Sequence, residues 1–144
     1  MTSRDGQHDE ALARLRGEMK AHGHDREAPS RSVMGMLGDR WTMLILILLK
    51  LGEWRHAELR RTMISLSSEQ AISQRVLTMK LRALERDGFV LRSVSDDVPL
   101  KVTYSLSPMG RDLAERGEQM IAWINARADA IHAARIACDA ASED

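Results

Sequence analysis

The sequence predicts a mainly α fold, α+β in class, in which short helices surround one small hairpin and further helices flank both ends. Three observations predict it. Apolar residues recur at three- and four-residue spacing through most of the chain. Gly23, Gly38, Gly52 and Gly88 follow those periodic stretches, where helix stops belong. Only two runs, Phe89–Val94 and Lys101–Leu106, are β-prone, and Asp96-Asp97-Val98-Pro99 between them supplies turn chemistry.

Residues 8–21 place Leu12, Leu15 and Met19 on one helical face among charges. A stripe that narrow cannot fold alone, so it is expected to dock on a partner surface. His22, His24, Asp25 and Arg26 read as a linker ending at Pro29. Ser32–Leu37 predicts a short helix presenting Val33, Met36 and Leu37, with Gly38 ending it at positive φ and Asp39 capping the next. That next helix, Arg40–Lys50, carries Trp41, Leu44, Ile45 and Leu48 as a core-facing stripe, while Met43, Ile47 and Leu49 make it apolar nearly all round. It is expected at the centre of the fold.

Ala57–Met63 predicts a basic helix with Leu59 and Met63 inward and Arg60 and Arg61 outward. After a polar loop, Ser73 is placed to cap a helix reaching Asp87, with Leu77, Leu81 and Leu84 as its inner stripe and Gly88 as its left-handed stop. Gln74, Arg75, Thr78, Met79 and Arg82 share the opposite side. Beyond the hairpin, Ser107 and Pro108 open what reads as one long helix to about Ala137, with Leu113, Met120, Ile121, Ile124, Ala128 and Ile131 along one side. Its far half overreaches so small a domain, and a homodimer is the economical way to bury it.

The organisation expected is a helical arm and linker over 1–28, a central module over 29–107, and a dimerisation helix with tail over 108–144. The 144 residues, 44% apolar, suffice for one core. No apolar run is long enough to span a bilayer, and the charged start does not read as a signal peptide, so a cytoplasmic chain is expected with no membrane partner. The single Cys138 excludes an internal disulfide, and its acidic neighbours Asp139, Glu143 and Asp144 disfavour the thiolate. The zero net charge hides an asymmetry: residues 54–92 hold eight Lys/Arg against four acids, and residues 93–144 hold five against nine. A basic middle suits phosphate, since affinity follows the local field.

Two helices joined by a turn, then a hairpin with basic residues, make a winged helix-turn-helix. The helix after Ser73 then lies in the major groove with its leading turn on the base edges. Arg75 can bridge guanine O6 and N7, and Gln74 adenine N6 and N7. Ser73 and Thr78 are short enough for phosphates, with Met79 and Arg82 on the same face, Arg60 and Arg61 on the preceding helix, and Arg92 and Lys101 on the hairpin holding the neighbouring backbone.

These residues resemble the HxlR-type winged-helix regulators. The likeness is closest over Leu37–Leu46, whose Gly38-Asp39-Arg40-Trp41-Thr42 is similar to that family's Gly-Lys-Trp-Thr helix start. It continues through Glu58–Arg61, Ile72–Thr78, Leu81–Gly88 and Val98–Gly110, with Trp123 where the family tends to carry a tryptophan, and covers about residues 29–124. The resemblance implies a homodimer on a double-stranded DNA operator, a repressor or activator that responds to oxidants, electrophiles or a small-molecule effector. The dimer residues expected are Leu12, Leu15, Met120, Ile121, Trp123, Ile124 and Ile131. Members that sense oxidants carry a cysteine before a proline near the domain start; here Ala28 precedes Pro29. His56 stands where an aromatic residue is usual, Ala57 replaces the capping residue, and the loop Ile64–Ala71 is longer than usual.

The function expected is a sequence-specific transcriptional regulator, a repressor on a palindromic operator. The alternatives are a winged-helix protein-docking module and a small-molecule-responsive regulator of the broader MarR-like type. A docking face should be apolar, yet only Met79 on this one is. His56 is read as a partly buried core residue rather than a pH reporter. His22, His24 and Asp25 lack a rigid further ligand, so no metal is expected. Nine methionines read as gap-fillers or as an adaptable ligand pocket. No phosphate loop, nucleophile elbow or metal-binding helix is present, so no catalytic residue, enzyme activity or cofactor is expected.

Overall fold

The computed structural model describes residues 4–23, 25–67 and 71–142. The chain divides into two compact units, Met1–Arg40 and Trp41–Asp144. The first holds α1 (Arg4–His22) and α2 (Pro29–Leu37). None of the α1 residues is buried, and Leu12, Leu15 and Met19 are all exposed. Proline opens α2, where its missing N–H costs nothing, and Asp25 shapes the turn before it by accepting from the Glu27 amide. This helix starts three residues earlier than Ser32. Gly38 ends it with φ −78° rather than in the expected left-handed form, its amide bonding back to Met34 and Met36.

The second unit runs α3 (Thr42–Lys50), β1 (Trp54–Arg55), α4 (His56–Leu66), α5 (Gln74–Arg86), β2 (Val90–Val94), β3 (Val102–Leu106), α6 (Pro108–Ala126) and α7 (Ala128–Ser142). Among the described residues no single helix is long and apolar enough to cross a membrane. The central helix is α3: Thr42, Ile45, Leu46, Leu48 and Leu49 are buried, on more than one face, as its composition predicts. It starts at Thr42 with Trp41 at the N-cap, two residues later than expected and without Asp39 as the cap. Leu59 and Met63 of α4 and Leu77, Leu81 and Leu84 of α5 join that core, with Ile72, Phe89, Val90, Tyr104 and Ala114.

The sheet is antiparallel in the order β1-β3-β2. β2 and β3 form the predicted hairpin, paired from Val90↔Leu106 to Val94↔Val102, and at its tip the Ser95 amide donates to the Lys101 carbonyl at 2.8 Å. The third strand, β1, has only two residues and was not foreseen. It pairs Trp54↔Tyr104 and Arg55↔Thr103, and the Trp54 indole Nε1 donates to the Leu48 carbonyl at 2.7 Å. A part-buried tertiary anchor, not local alternation, makes this strand.

At the end of β3 the backbone closes tightly on itself. Gly88 takes φ +83°, the left-handed stop predicted for α5. Ser107 accepts from the Gly110 amide at 2.9 Å as the N-cap of α6 and donates to the Gly88 carbonyl at 2.6 Å, tying the two helix ends together. Across the domain, Lys50 at the end of α3 pairs with Glu118 of α6 at 3.1 Å. The single long helix expected after Pro108 is instead two, broken at Arg127 (φ −113°, ψ 13°). There the Arg127 guanidinium donates to the Trp123 carbonyl at 3.1 Å and stacks 4.0 Å over its ring, while the Arg127 amide bonds to Ile124, at 2.9 Å, rather than to Trp123. The Trp123 carbonyl thus receives the Arg127 side chain where a continuing helix would bring the Arg127 amide, and α7 starts afresh at Ala128.

Candidate nucleic-acid interface

The site is built on α4, the turn after it, α5 and the hairpin. Ser73 sits extended (φ −75°, ψ 158°) and accepts from the Val76 amide at 3.1 Å, so α5 begins where the sequence predicts. The turn is held from the other side by Arg60, whose Nε donates to the Ile72 carbonyl at 2.9 Å. Arg60 is therefore half-buried and engaged with the turn, whereas Arg61 is exposed as expected. Three residues expected in the loop, Ile64–Leu66, belong instead to α4; positions 68–70 lie outside the described residues, as does His24.

With Leu77, Leu81 and Leu84 buried, helical geometry turns Gln74, Arg75, Thr78, Met79 and Arg82 outward. All five line one open groove of about 790 Å³, closed on its far side by Arg92 of β2 and by Val102 and Tyr104 of β3. Arg75, Arg82 and Arg92 thus bring three positive charges to a wall on which, among the described residues, no carboxylate stands. The N-terminus of the thirteen-residue α5 adds its partial positive charge at the same end. Ser73 is exposed at that N-cap, and Lys101 is exposed at the hairpin tip with its amide on Ser95 Oγ at 3.0 Å.

His56 also lines the groove. Its Nε2 lies 3.0 Å from Thr78 Oγ1, so this hydroxyl is already engaged by α4. The ring is 6.4 Å from that of Tyr104, at 58° to it. Burial lowers the imidazole below its ordinary 6.5, the Arg60 charge lowers it further, and the Gln74 backbone partly offsets both. Sequence reasoning placed His56 in the core; the signal for more was its position at an aromatic site between two arginine-bearing segments. Arg55, also unpredicted, lines with His56, Glu58, Arg61, Leu100 and Val102 a second cleft of about 560 Å³ under the hairpin.

The residues expected to meet a second chain lie elsewhere. Met120, Ile121, Trp123 and Ile124 on α6 are exposed, and Ile131 on α7 is half-buried. Trp123, at 53% exposure, is far from the burial usual for a tryptophan.

Comparison with known proteins agrees with this geometry. The model of the HxlR-like helix-turn-helix family matches residues 36–132. The HTH-type transcriptional regulator YtfH of Escherichia coli K12 is 37% identical over 98 residues, which are 68% of this chain and 73% of that protein. The structure of the transcriptional regulator ytfH from Salmonella typhimurium superposes with a TM-score of 0.62 at 33% identity, covering 77% of this chain and 94% of that one. The reduced form of the transcriptional regulator YodB from Bacillus subtilis does so at 0.58 and 34%, covering 67% and 90%.

Proposed function

Because the chain belongs to the HxlR-like helix-turn-helix family and is a transcriptional regulator, we propose that it acts as a homodimeric repressor on a palindromic duplex operator. One observation carries this reading: the five outward residues of α5 and Arg92 converge on a single groove without a carboxylate among its described residues. Such a wall suits a phosphate-edged duplex. Gln74 and Arg75, on the leading turn, read base edges; Arg82 and Arg92 meet the flanking backbone, with Ser73, Thr78, Met79, Arg61 and Lys101 around them. Arg60 acts at one remove, through the turn that it holds.

In this reading residues 29–107 form the DNA module, 1–28 an arm, and 108–144 the dimer element. Leu12 and Leu15 in the arm, and Met120, Ile121, Trp123, Ile124 and the half-buried Ile131 in the closing helices, are apolar residues that a second copy covers. Two-fold symmetry then requires half-sites about one helical turn, or a multiple, apart. No chemistry is assigned to the chain; it works by occupying its operator.

The test is selection of bound duplexes from a random pool, followed by footprinting. Arg75→Ala is expected to relax preference at one position in each half-site, by about 1–3 kcal/mol. Ile124→Glu is expected to yield monomers in sedimentation and to shorten the footprint to one half-site. Selection returning no consensus, or an unchanged consensus from Arg75→Ala, would count against the assignment.

A further inference from the structure

The groove holds a histidine that base reading leaves unused. His56, at the first position of α4, is half-buried and bonded through Nε2 to Thr78 Oγ1, one turn beyond Gln74 on α5. Groups facing it come from every element around it: Arg55 of β1, Glu58, Arg60 and Arg61 of its own helix, Arg75 and Arg82 of α5, Arg92 of β2 and Tyr104 of β3. Burial, and after it the Arg60 charge, disfavour a further positive charge on the ring while the groove holds no anion.

Resting on the reading of this groove as a duplex-DNA site, we propose that His56 is a positioning residue for the recognition helix. It takes up a proton as DNA enters and in its charged form fixes Thr78 Oγ1 as the acceptor of their shared hydrogen bond. A neutral imidazole has one N–H and one lone pair, so the Nε2–Oγ1 bond can run in either sense. A proton from solvent, added to the ring, makes both nitrogens donors. The bond then runs only from Nε2 to Oγ1, and the hydroxyl hydrogen must turn to another acceptor, which DNA brings as phosphate oxygens or base edges.

Phosphates also supply the charge that reverses the ring's environment. They pair with the surrounding arginines and favour the imidazolium directly. The complex therefore holds more protons than the free protein, and by linkage DNA affinity rises as pH falls through the histidine range, by one proton per chain. Charging His56 thus removes the arrangement in which Thr78 donates to the ring, and leaves its hydroxyl hydrogen for DNA.

The experiment uses the full chain and a labelled mixed-sequence duplex of about 40 base pairs, which spans several helical turns. Anisotropy titrations run at constant ionic strength from about pH 7.5 to about pH 5.5, across the histidine range. Wild type is expected to gain at least about tenfold more affinity than His56→Phe, since each pKa unit by which DNA raises the ring is worth tenfold per chain. Thr78→Val, which keeps the shape and loses the hydroxyl, is expected to show a reduced gain. The His56 ring-proton signal, followed in wild type without and with the same duplex, is expected to titrate at higher pH when DNA is bound, which needs no variant to fold. Equal pH responses in wild type and His56→Phe, or a midpoint that DNA does not move, would overturn the proposal and leave the DNA reading standing. A wild-type chain that binds no duplex at any pH would overturn both.

Discussion

Ser73 and Ser107 cap their helices by the same bond, and burial separates the consequences of losing it. At α5, Ser73 Oγ accepts from the Val76 amide at 3.1 Å in an exposed turn. Ser73→Ala leaves an amide that water can reach, and is expected to cost about 1 kcal/mol. At α6, Ser107 is 8% exposed; its Oγ accepts from the Gly110 amide at 2.9 Å and donates to the Gly88 carbonyl at 2.6 Å. Ser107→Ala loses a cap of similar worth and strands a buried amide and a carbonyl, which adds about 1–3 kcal/mol, for a total of about 2–4 kcal/mol. Urea unfolding followed by circular dichroism reads both, at one protein concentration because self-association feeds into apparent stability. The m-values are expected to stay equal. In melting temperature the losses are about 2–4 °C for Ser73→Ala and roughly three times that for Ser107→Ala. Equal losses, or a larger loss at Ser73, would refute the burial argument. Ser73→Ala is nevertheless expected to weaken duplex binding more than Ser107→Ala does, because Gln74 and Arg75 stand on the turn that it loosens.

Gly110→Ala would bring a Cβ to 2.8 Å from the Phe89 carbonyl carbon and closer still to its oxygen, and backbone cannot give way. A loss of about 3 kcal/mol is expected in the same urea assay. Gly117→Ala meets the Met43 side chain, with Sδ at 2.6 Å, and a flexible thioether can move, so a clearly smaller loss is expected. Because folding lowers the His56 pKa, the unfolded chain binds more protons in the histidine range; stability present above about pH 6.5 is lost as pH falls toward the folded value. His56→Phe is expected to remove that component from a plot of unfolding midpoint against pH. Arg92→Ala is expected to weaken binding to all duplexes alike and to reduce the slope of log affinity against log salt by about 0.9 for each phosphate that Arg92 neutralises; an unchanged slope would take Arg92 off the backbone.

The helix-turn-helix and its hairpin are legible because short-range rules govern them. Ser73 as cap, the leucine stripe 77/81/84, Gly88 as left-handed stop and Ser107-Pro108 as helix start each follow from bonds within a few residues. The same periodicity that buries the leucines turns Gln74, Arg75, Thr78, Met79 and Arg82 to one side, so most of the groove's α5 wall could be read in advance. What periodicity cannot report is where an outward side chain goes once another element stands opposite it. Arg60 reads as a surface cation, yet its Nε is taken by a carbonyl twelve residues away. Thr78 reads as a phosphate contact, yet its hydroxyl is held by His56, twenty-two residues away.

The sequence by itself determined the order of elements, the inner and outer faces of α5 and the basic character of the middle of the chain. These depend on spacing, caps and charge, which are local. Only the tertiary structure decided that β1 exists and that His56 belongs to the groove rather than to the core; the break of the closing helix at Arg127 is marked by a bond only four residues long, but the apolar periodicity runs on through it. The first two each rest on one side chain, Trp54 or His56, reaching a hydrogen-bond partner on a neighbouring element. A bond of that kind is worth only about 1 kcal/mol, too little to leave a trace in apolar periodicity but enough to choose between two backbone paths of nearly equal energy.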